Sequence, residues 1–543
     1  MSIEEKYEHA YVYSEMITDM QETIYPYLGY GNAESEWSEN PQQAHNQFIK
    51  INSYEEFSDP STILLIGRIG TGKTSILNNL KYLIEREQEN RYKFVTMVES
   101  SKYFFQLSRS IRLSEHKDLL YAEIEELLID KWNWLINVTA MQEMNKKFPN
   151  TTKKIKKYLE DNNLVDYQQS TAYIIDAICD NVEDVDNKVV QGAVALRKIM
   201  RRLYSVDFKD AEAELKDTLK DEGNCLILID TIDKYHVDDT ISLAVISALY
   251  AACVNFSNSY SRDRILVKIA LPSEIMPNLI TINTEKIVNR IVYIRWNQKD
   301  LTKLIAIRLF SYKHQEVDEC SIDEALTYFH EYYSETCITE TGIVFNTMAY
   351  CLMHTQKKPR QLLSIYNSWL FLEKQYPGKD RMELISNAVH LNQELMIKGA
   401  LSIYVNQNSR VFEIFKRVFA GSKYCFSASE LDAMIKNCSS VRGEMDAFSV
   451  KRMLLSSGLL GIQQELHYIN ENNEYFKNIG KIIRIKEVVF EYQLKDQLPI
   501  NGNSTFALHP ICYRVTHNIV DENTIVYPKP AGDEFVPWQK QTS

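Results

Sequence analysis

Apolar residues along the chain gather in short continuous runs, separated by segments with helical spacing. The runs are 62–66 (TILLI), 94–98 (FVTMV), 225–230 (CLILID), 265–270 (ILVKIA) and 291–294 (IVYI). Runs of Val, Ile and Leu without polar alternation are what a parallel sheet covered on both faces requires. Residues 74–87 carry an amphipathic helical pattern directly after the first run. The pattern predicts an α/β fold built on a parallel sheet.

Two departures from simple strand–helix alternation divide the rest. The gap between Val98 and Cys225 far exceeds the dozen or so residues that a parallel crossover needs. Its Leu, Ile, Glu and Lys recur at helical spacing, as in EIEELLIDKWNWLI, so 105–220 reads as a helical insertion. Residues 299–405 are helical throughout and read as a lid. In 406–520, three helical segments (FEIFKRVF, SASELDAMIKNC, AFSVKRMLLSSG) precede two strand-like ones (LLGIQ, KIIRIKEVVFEYQL). That order predicts a winged helix. The Tyr-, Glu- and Asn-rich stretch 1–60 reads as helical or irregular, and 521–543 as an irregular tail. The expected core is therefore 61–298.

Composition narrows the function classes. At about 100–200 residues per domain, 543 residues imply about three domains. The 61 basic against 73 acidic residues exclude a generally basic nucleic-acid coat and confine any such contact to local patches. No apolar run reaches the roughly 18–20 residues that span a bilayer. The N-terminus has no basic segment leading into an apolar one, as a secretory signal would. The expectation is a cytoplasmic protein. Nine cysteines, an odd number with no C-x-x-C pair, read as scattered reduced thiols rather than a zinc site or a disulfide framework. Trp132 and Trp296 read as core or interface aromatics. The basic clusters Lys153, Lys154, Lys156, Lys157 and Arg197, Lys198, Arg201, Arg202 read as solvated helix faces, with a nucleic-acid or partner surface as the alternative.

The sharpest chemistry follows the first apolar run. Gly67, Arg68, Ile69, Gly70, Thr71, Gly72, Lys73 and Thr74 match G-x-x-x-x-G-K-[ST] in full, with Ser75 continuing into the helix. Such glycines let backbone N–H groups turn toward phosphate oxygens. The lysine reaches the β- and γ-phosphates, and the hydroxyl of Thr74 can join a Mg²⁺ shell. The helix behind adds the positive end of its dipole. The run 225–230 ends in Asp230, the acid expected beside Mg²⁺. The next position is Thr231, so Asp233 is the nearest carboxylate able to orient a water. ATP and Mg²⁺ are the expected ligands, with Lys73, Asp230 and Asp233 as catalytic candidates.

These residues resemble the signal-transduction (STAND) class of P-loop ATPases and the origin-recognition type of AAA+ ATPase. The STAND second motif is a hydrophobic strand, D, a small residue, a hydrophobic residue, D and often E. Here it reads LILI-Asp230-Thr231-Ile232-Asp233-Lys234, without the closing acid. The same resemblance covers 265–275 (ILVKIALPSEI) as the fourth strand with its sensor and 291–308 as the fifth strand entering a lid. Lys357, Lys358, Pro359 and Arg360 resemble the Pro-Arg motif of such lids, and 506–510 (FALHP) the end of a winged helix. Relatives often carry an arginine where this chain has Pro272. The resemblance therefore leaves γ-phosphate sensing to Ser273 or Arg360, with Arg290 and Arg295 as fingers toward a neighbouring subunit. It implies ATP between core and lid, ordering lid and sensor, and a switch in assembly or partner contact, with bacterial stress or anti-phage defence as its setting. His509 reads as structural.

Two other readings stand beside the switch. One is a DNA-binding AAA+-like loader or recombination factor. It would use Arg442, Lys451 and Arg452 near the recognition helix and Lys477, Lys481, Arg484 and Lys486 near the wing. Residues 410–500 are close to neutral in charge, which favours a protein partner over DNA. The other reading is a nucleotide-bound scaffold that does not hydrolyse.

Overall fold

The structure is a computed structural model. It describes residues 25–29, 31–86, 91–99, 121–165, 204–230, 240–278, 290–314, 321–333, 336–338, 344–405, 409–438, 446–469, 482–494, 498–518 and 524–529. The chain divides into two compact units, Lys50–Arg295 and a second formed by Met1–Ile49 with Trp296–Ser543.

In the first unit the five apolar runs become five parallel strands: β1 (Leu64–Gly67), β2 (Phe94–Glu99), β3 (Cys225–Asp230), β4 (Ile265–Pro272) and β5 (Ile291–Tyr293). Their order is β2-β3-β4-β1-β5. Leu64 pairs with Ile269 on one side and Ile291 on the other, and Cys225 with Phe94 and Ile265. β4 thus stands between the strand leading into the glycine loop and the strand ending in Asp230. β1 and β4 are buried along their whole length. This explains their lack of polar alternation.

Helices Tyr121–Lys147, Lys153–Asp161 and Val206–Glu222 occupy the long connection between β2 and β3. Trp132 is fully buried there and donates to Val245 O at 3.1 Å. Trp134, also buried, donates to Tyr158 Oη at 3.0 Å. Lys153, Lys154, Lys156 and Lys157 are exposed, while Ile155, Tyr158 and Leu159 face inward. These four lysines are the outer face of an amphipathic helix. Arg197, Lys198, Arg201 and Arg202 lie outside the described residues.

One lysine sits in an all-apolar strand. Lys268 of β4 is fully buried, and its Nζ donates to Phe57 O (2.5 Å), Asp59 O (2.7 Å) and Thr62 O (2.7 Å). The ammonium joins the Thr62 hydroxyl, which also donates to Phe57 O and Asp59 O, in closing the C-terminal end of the helix Asn52–Ser58. Burial pushes its pKa down to about 7, against the opposing pull of Asp59.

The second unit joins what the sequence reads as separate lid and winged helix. Its helices Gln298–His314, Ile322–Tyr332, Thr347–Met353, Pro359–Gln375 and Arg381–Leu401 are joined by a short ribbon of β6 (Thr336–Ile338) and β7 (Val344–Asn346). The trio Val411–Phe419, Ala428–Asn437 and Ala447–Ser456 follows. Its sheet has five strands: β8 (Cys425–Ser427), β9 (Leu460–Ile469), β10 (Ile483–Val489), β11 (Thr505–Leu508) and β12 (Thr524–Pro528), in the order β12-β10-β9-β11-β8. β12 lies in the segment expected to be irregular and pairs with β10 in parallel. The stretch 1–60 is also divided: its residues up to Ile49 belong to the helical unit and the rest to the sheet unit. Arg308 fixes the first part, donating to Glu36 at 2.7 and 2.8 Å and to Leu28 O at 2.8 Å.

Candidate nucleotide site

β1 ends in Gly67, and the loop that follows turns on two glycines in the left-handed region, Gly70 (φ 86°) and Gly72 (φ 95°). Side chains adopt such angles only with strain, so these positions suit glycine. Gly67 has a different reason. A Cβ there would stand 2.5 Å from Thr71 Oγ1 and 2.9 Å from Ile294 Cδ1. Thr71 closes the turn, its N–H and hydroxyl both donating to Arg68 O at 3.2 and 2.7 Å.

The helix Lys73–Glu85 starts at Gly72, and no side chain caps its N-terminus. Its first N–H groups, including those of Thr74 and Ser75, have no intrahelical acceptor. Lys73 is buried, and its Nζ curls over the loop, donating to Gly67 O at 3.0 Å and Arg68 O at 3.3 Å. Thr74 Oγ1 donates to Asp230 Oδ2 at 2.7 Å, although 156 positions separate them. β3 therefore brings its terminal carboxylate to the first turn of the loop helix, as the sequence pattern requires. An uncapped helix start, an ammonium and a hydroxyl–carboxylate pair form the donor set that a triphosphate with Mg²⁺ needs. The residues present fit both groups.

The structure adds a residue that sequence reasoning passed over. Glu274 follows β4, and because β4 lies between β1 and β3 its side chain reaches the loop. Its carboxylate accepts from Ile69 N at 3.3 Å and pairs with Arg68 Nε at 3.5 Å. Ser273 Oγ donates to the same carboxylate at 3.4 Å. Glu274 is buried almost completely, with 6% of its side chain exposed. Ser273, one of the residues to which γ-phosphate sensing fell, is thus bonded to an acid. The segment ALPSEI offers one clue, a proline stopping the strand two residues before a glutamate.

The remaining candidates divide. Asp233 and Thr231 lie outside the described residues. Arg290 donates to Ser257 Oγ (3.0 Å) and Asn258 Oδ1 (3.2 Å), so it is engaged within its own unit. Arg295 is exposed. Arg360 belongs to the other unit. It is exposed, stands next to Pro359 at the start of its helix, and donates from Nε to Gly31 O at 2.8 Å.

The cations assigned to a DNA-contacting helix are used internally. Lys451 is buried against Asp432 at 2.8 Å. Arg452 pairs with Glu491 and donates to Leu498 O at 3.0 Å. Arg442, Lys477 and Lys481 lie outside the described residues. His509 is fully buried, bonded to Tyr492 Oη (3.1 Å) and accepting from Ile511 N (3.3 Å), which is a structural role. No described helix is long and apolar enough to cross a membrane.

No family model matches the chain, and no curated protein matches it. Among solved structures, Cdc6p from Pyrobaculum aerophilum aligns over 74% of this chain and 81% of its own, with 11% identity and a TM-score of 0.24. At that score the likeness carries no weight. The mixed α/β fold rests on the chain's own parallel five-stranded sheet and loop geometry.

Proposed function

We propose that the chain is an ATP-hydrolysing switch of the AAA+-like P-loop class, whose nucleotide state changes self-assembly or contact with a protein partner. The observation that carries this reading is the convergence of Lys73, Thr74 and Asp230 at one end of the sheet. Bound Mg²⁺ would neutralise charge on the β- and γ-phosphates. Thr74 and Asp230 would hold it, and Lys73 would exchange its two loop carbonyls for phosphate oxygens. The N–H groups of Gly70, Gly72 and Ser75 would line the phosphates, with the turn held by Thr71 N–H on Arg68 O. Asp233 would orient the attacking water, and Arg360 would answer to the γ-phosphate.

The size of the helical unit supports a switch over a small-molecule kinase, because such kinases are usually compact. The trio of helices with β9 and β10 is proposed as a winged helix used for packing and regulation. The DNA-binding alternative is weaker here because Lys451 and Arg452 already have internal partners. A bacterial stress or anti-phage setting rests on the family resemblance alone.

The test is calorimetric titration of ATP–Mg²⁺ into wild type and Lys73→Ala. The variant is expected to lose at least about 100-fold in affinity, roughly 2.7 kcal/mol. Equal affinity would overturn the site. Asp233→Asn is expected to retain binding and lose turnover. Sizing with and without ATP–Mg²⁺, wild type against Asp230→Ala, reads the assembly step.

A further inference from the structure

A second constellation lies far from the loop in sequence, on the β9–β10 ribbon of the other unit. Glu465 of β9 is the register partner of Glu487 of β10. Two carboxylates directly opposed across antiparallel strands repel each other. His467, two residues along β9 and so on the same face as Glu465, completes the group. Its Nε2 is 3.6 Å from Glu465 Oε2 and 3.3 Å from Glu487 Oε1. One ligand atom from each of the three lies within 4.8 Å of the others.

Three observations point to a cation at this place. Donor atoms bound about 2.0–2.2 Å from a tetrahedral Zn²⁺ stand about 3.3–3.6 Å from one another. The two nitrogen–oxygen separations match that edge length. Glu487 is more than nine-tenths buried, and the only ion pair it makes among the described residues is with His467. A buried carboxylate needs a compensating positive charge. The register also shifts between Glu487 and Val488, beside this group. Bulges of that kind re-aim side chains.

We propose that Glu465, His467 and Glu487 bind one divalent cation of the zinc type, through an imidazole nitrogen and two carboxylate oxygens, with a fourth position open to water. One nitrogen and two oxygens suit zinc better than magnesium, which prefers oxygens alone and octahedral geometry. The ion would clamp β9 to β10 and neutralise the opposed carboxylates. It is independent of the nucleotide site, so Lys73→Ala leaves it intact. Five of the cysteines, Cys225, Cys253, Cys337, Cys351 and Cys512, are poor competitors because they are buried as free thiols.

The test uses the full chain, stripped with chelator and dialysed against Zn²⁺, then assayed for metal content and titrated by calorimetry. Wild type and Lys73→Ala are each expected to retain one equivalent, and Zn²⁺ to raise the unfolding temperature. His467→Ala and Glu465→Gln are expected to lose both effects. Glu465 is exposed, so its substitution keeps the fold testable. Co²⁺ in place of Zn²⁺ should give visible bands of a tetrahedral site in wild type only. No stoichiometric zinc in wild type would overturn the proposal, leaving His467 set between two carboxylates. Retention of the equivalent in both variants would also overturn it, as would binding of Mg²⁺ or Mn²⁺ in preference to Zn²⁺.

Discussion

At the scale of single residues, Glu274 is the informative surprise. Lys73, Thr74 and Asp230 were legible because their spacing encodes the chemistry directly, and the structure brings them together. Glu274 was not, since its position follows from β4 lying between β1 and β3, which no local pattern announces. It puts a buried negative charge against Arg68 and the N–H of Ile69, beside the lysine that would receive phosphate. A carboxylate at the loop repels the charge of ATP. Glu274→Gln keeps the shape and removes the charge. It is expected to tighten ATP–Mg²⁺ binding about three- to tenfold, roughly 1 kcal/mol, in calorimetric titration. Weaker binding would show instead that the ion pair with Arg68 holds the loop in its binding shape.

At the scale of elements, the long apolar runs were read well and the short pieces poorly. β1 to β5 fall where Val, Ile and Leu accumulate, with ends displaced by a residue or two. β8, β11 and β12 have three to five residues each and no alternation to betray them. Their pairing is decided by tertiary packing. The helix Ala447–Ser456 shows the same limit for charge. In sequence, Lys451 and Arg452 look like phosphate contacts, but the neighbouring elements supply Asp432, Glu491 and Leu498 O as partners. Removing Arg452 takes the charged partner from the buried Glu491 carboxylate, which keeps only the Leu498 N–H among its described partners. Arg452→Ala is therefore expected to lower unfolding stability by about 2–3 kcal/mol. That is below the full cost of breaking a buried pair, because the guanidinium retains some solvent contact. Urea unfolding checks this. A variant of unchanged stability with selectively lost, salt-sensitive DNA binding would restore the DNA reading.

At the scale of the whole molecule, residues 299–405, read from the sequence as a lid, share one compact unit with the C-terminal segments. Gln356 Nε2 donates to Ser457 O at 2.7 Å across that unit, where His354 and His509 are buried and His390 is half-buried. His354 and His390 stand 6.3 Å apart between ring centroids, and Gln393 reaches His354 at 3.4 Å. Burial drives His354 and His390 down to about 3, helped by His390 and Arg514 respectively. Burial also holds His509 well below its ordinary value, with His354 adding to the effect. His354 and His390 are thus neutral when folded at pH 5 and protonated when unfolded. The unfolded state binds more protons below about pH 6.5, so stability falls as pH drops through that range. His354 and His390 are each expected to cost about 2 kcal/mol between pH 7 and pH 5, with His509 acting in the same direction. Urea unfolding of this unit at the two pH values reads the total. His390→Gln should remove about 2 kcal/mol of the pH-dependent loss, whatever it does to stability at pH 7. An unchanged pH dependence in that variant would show that His390 takes up its proton in the folded state.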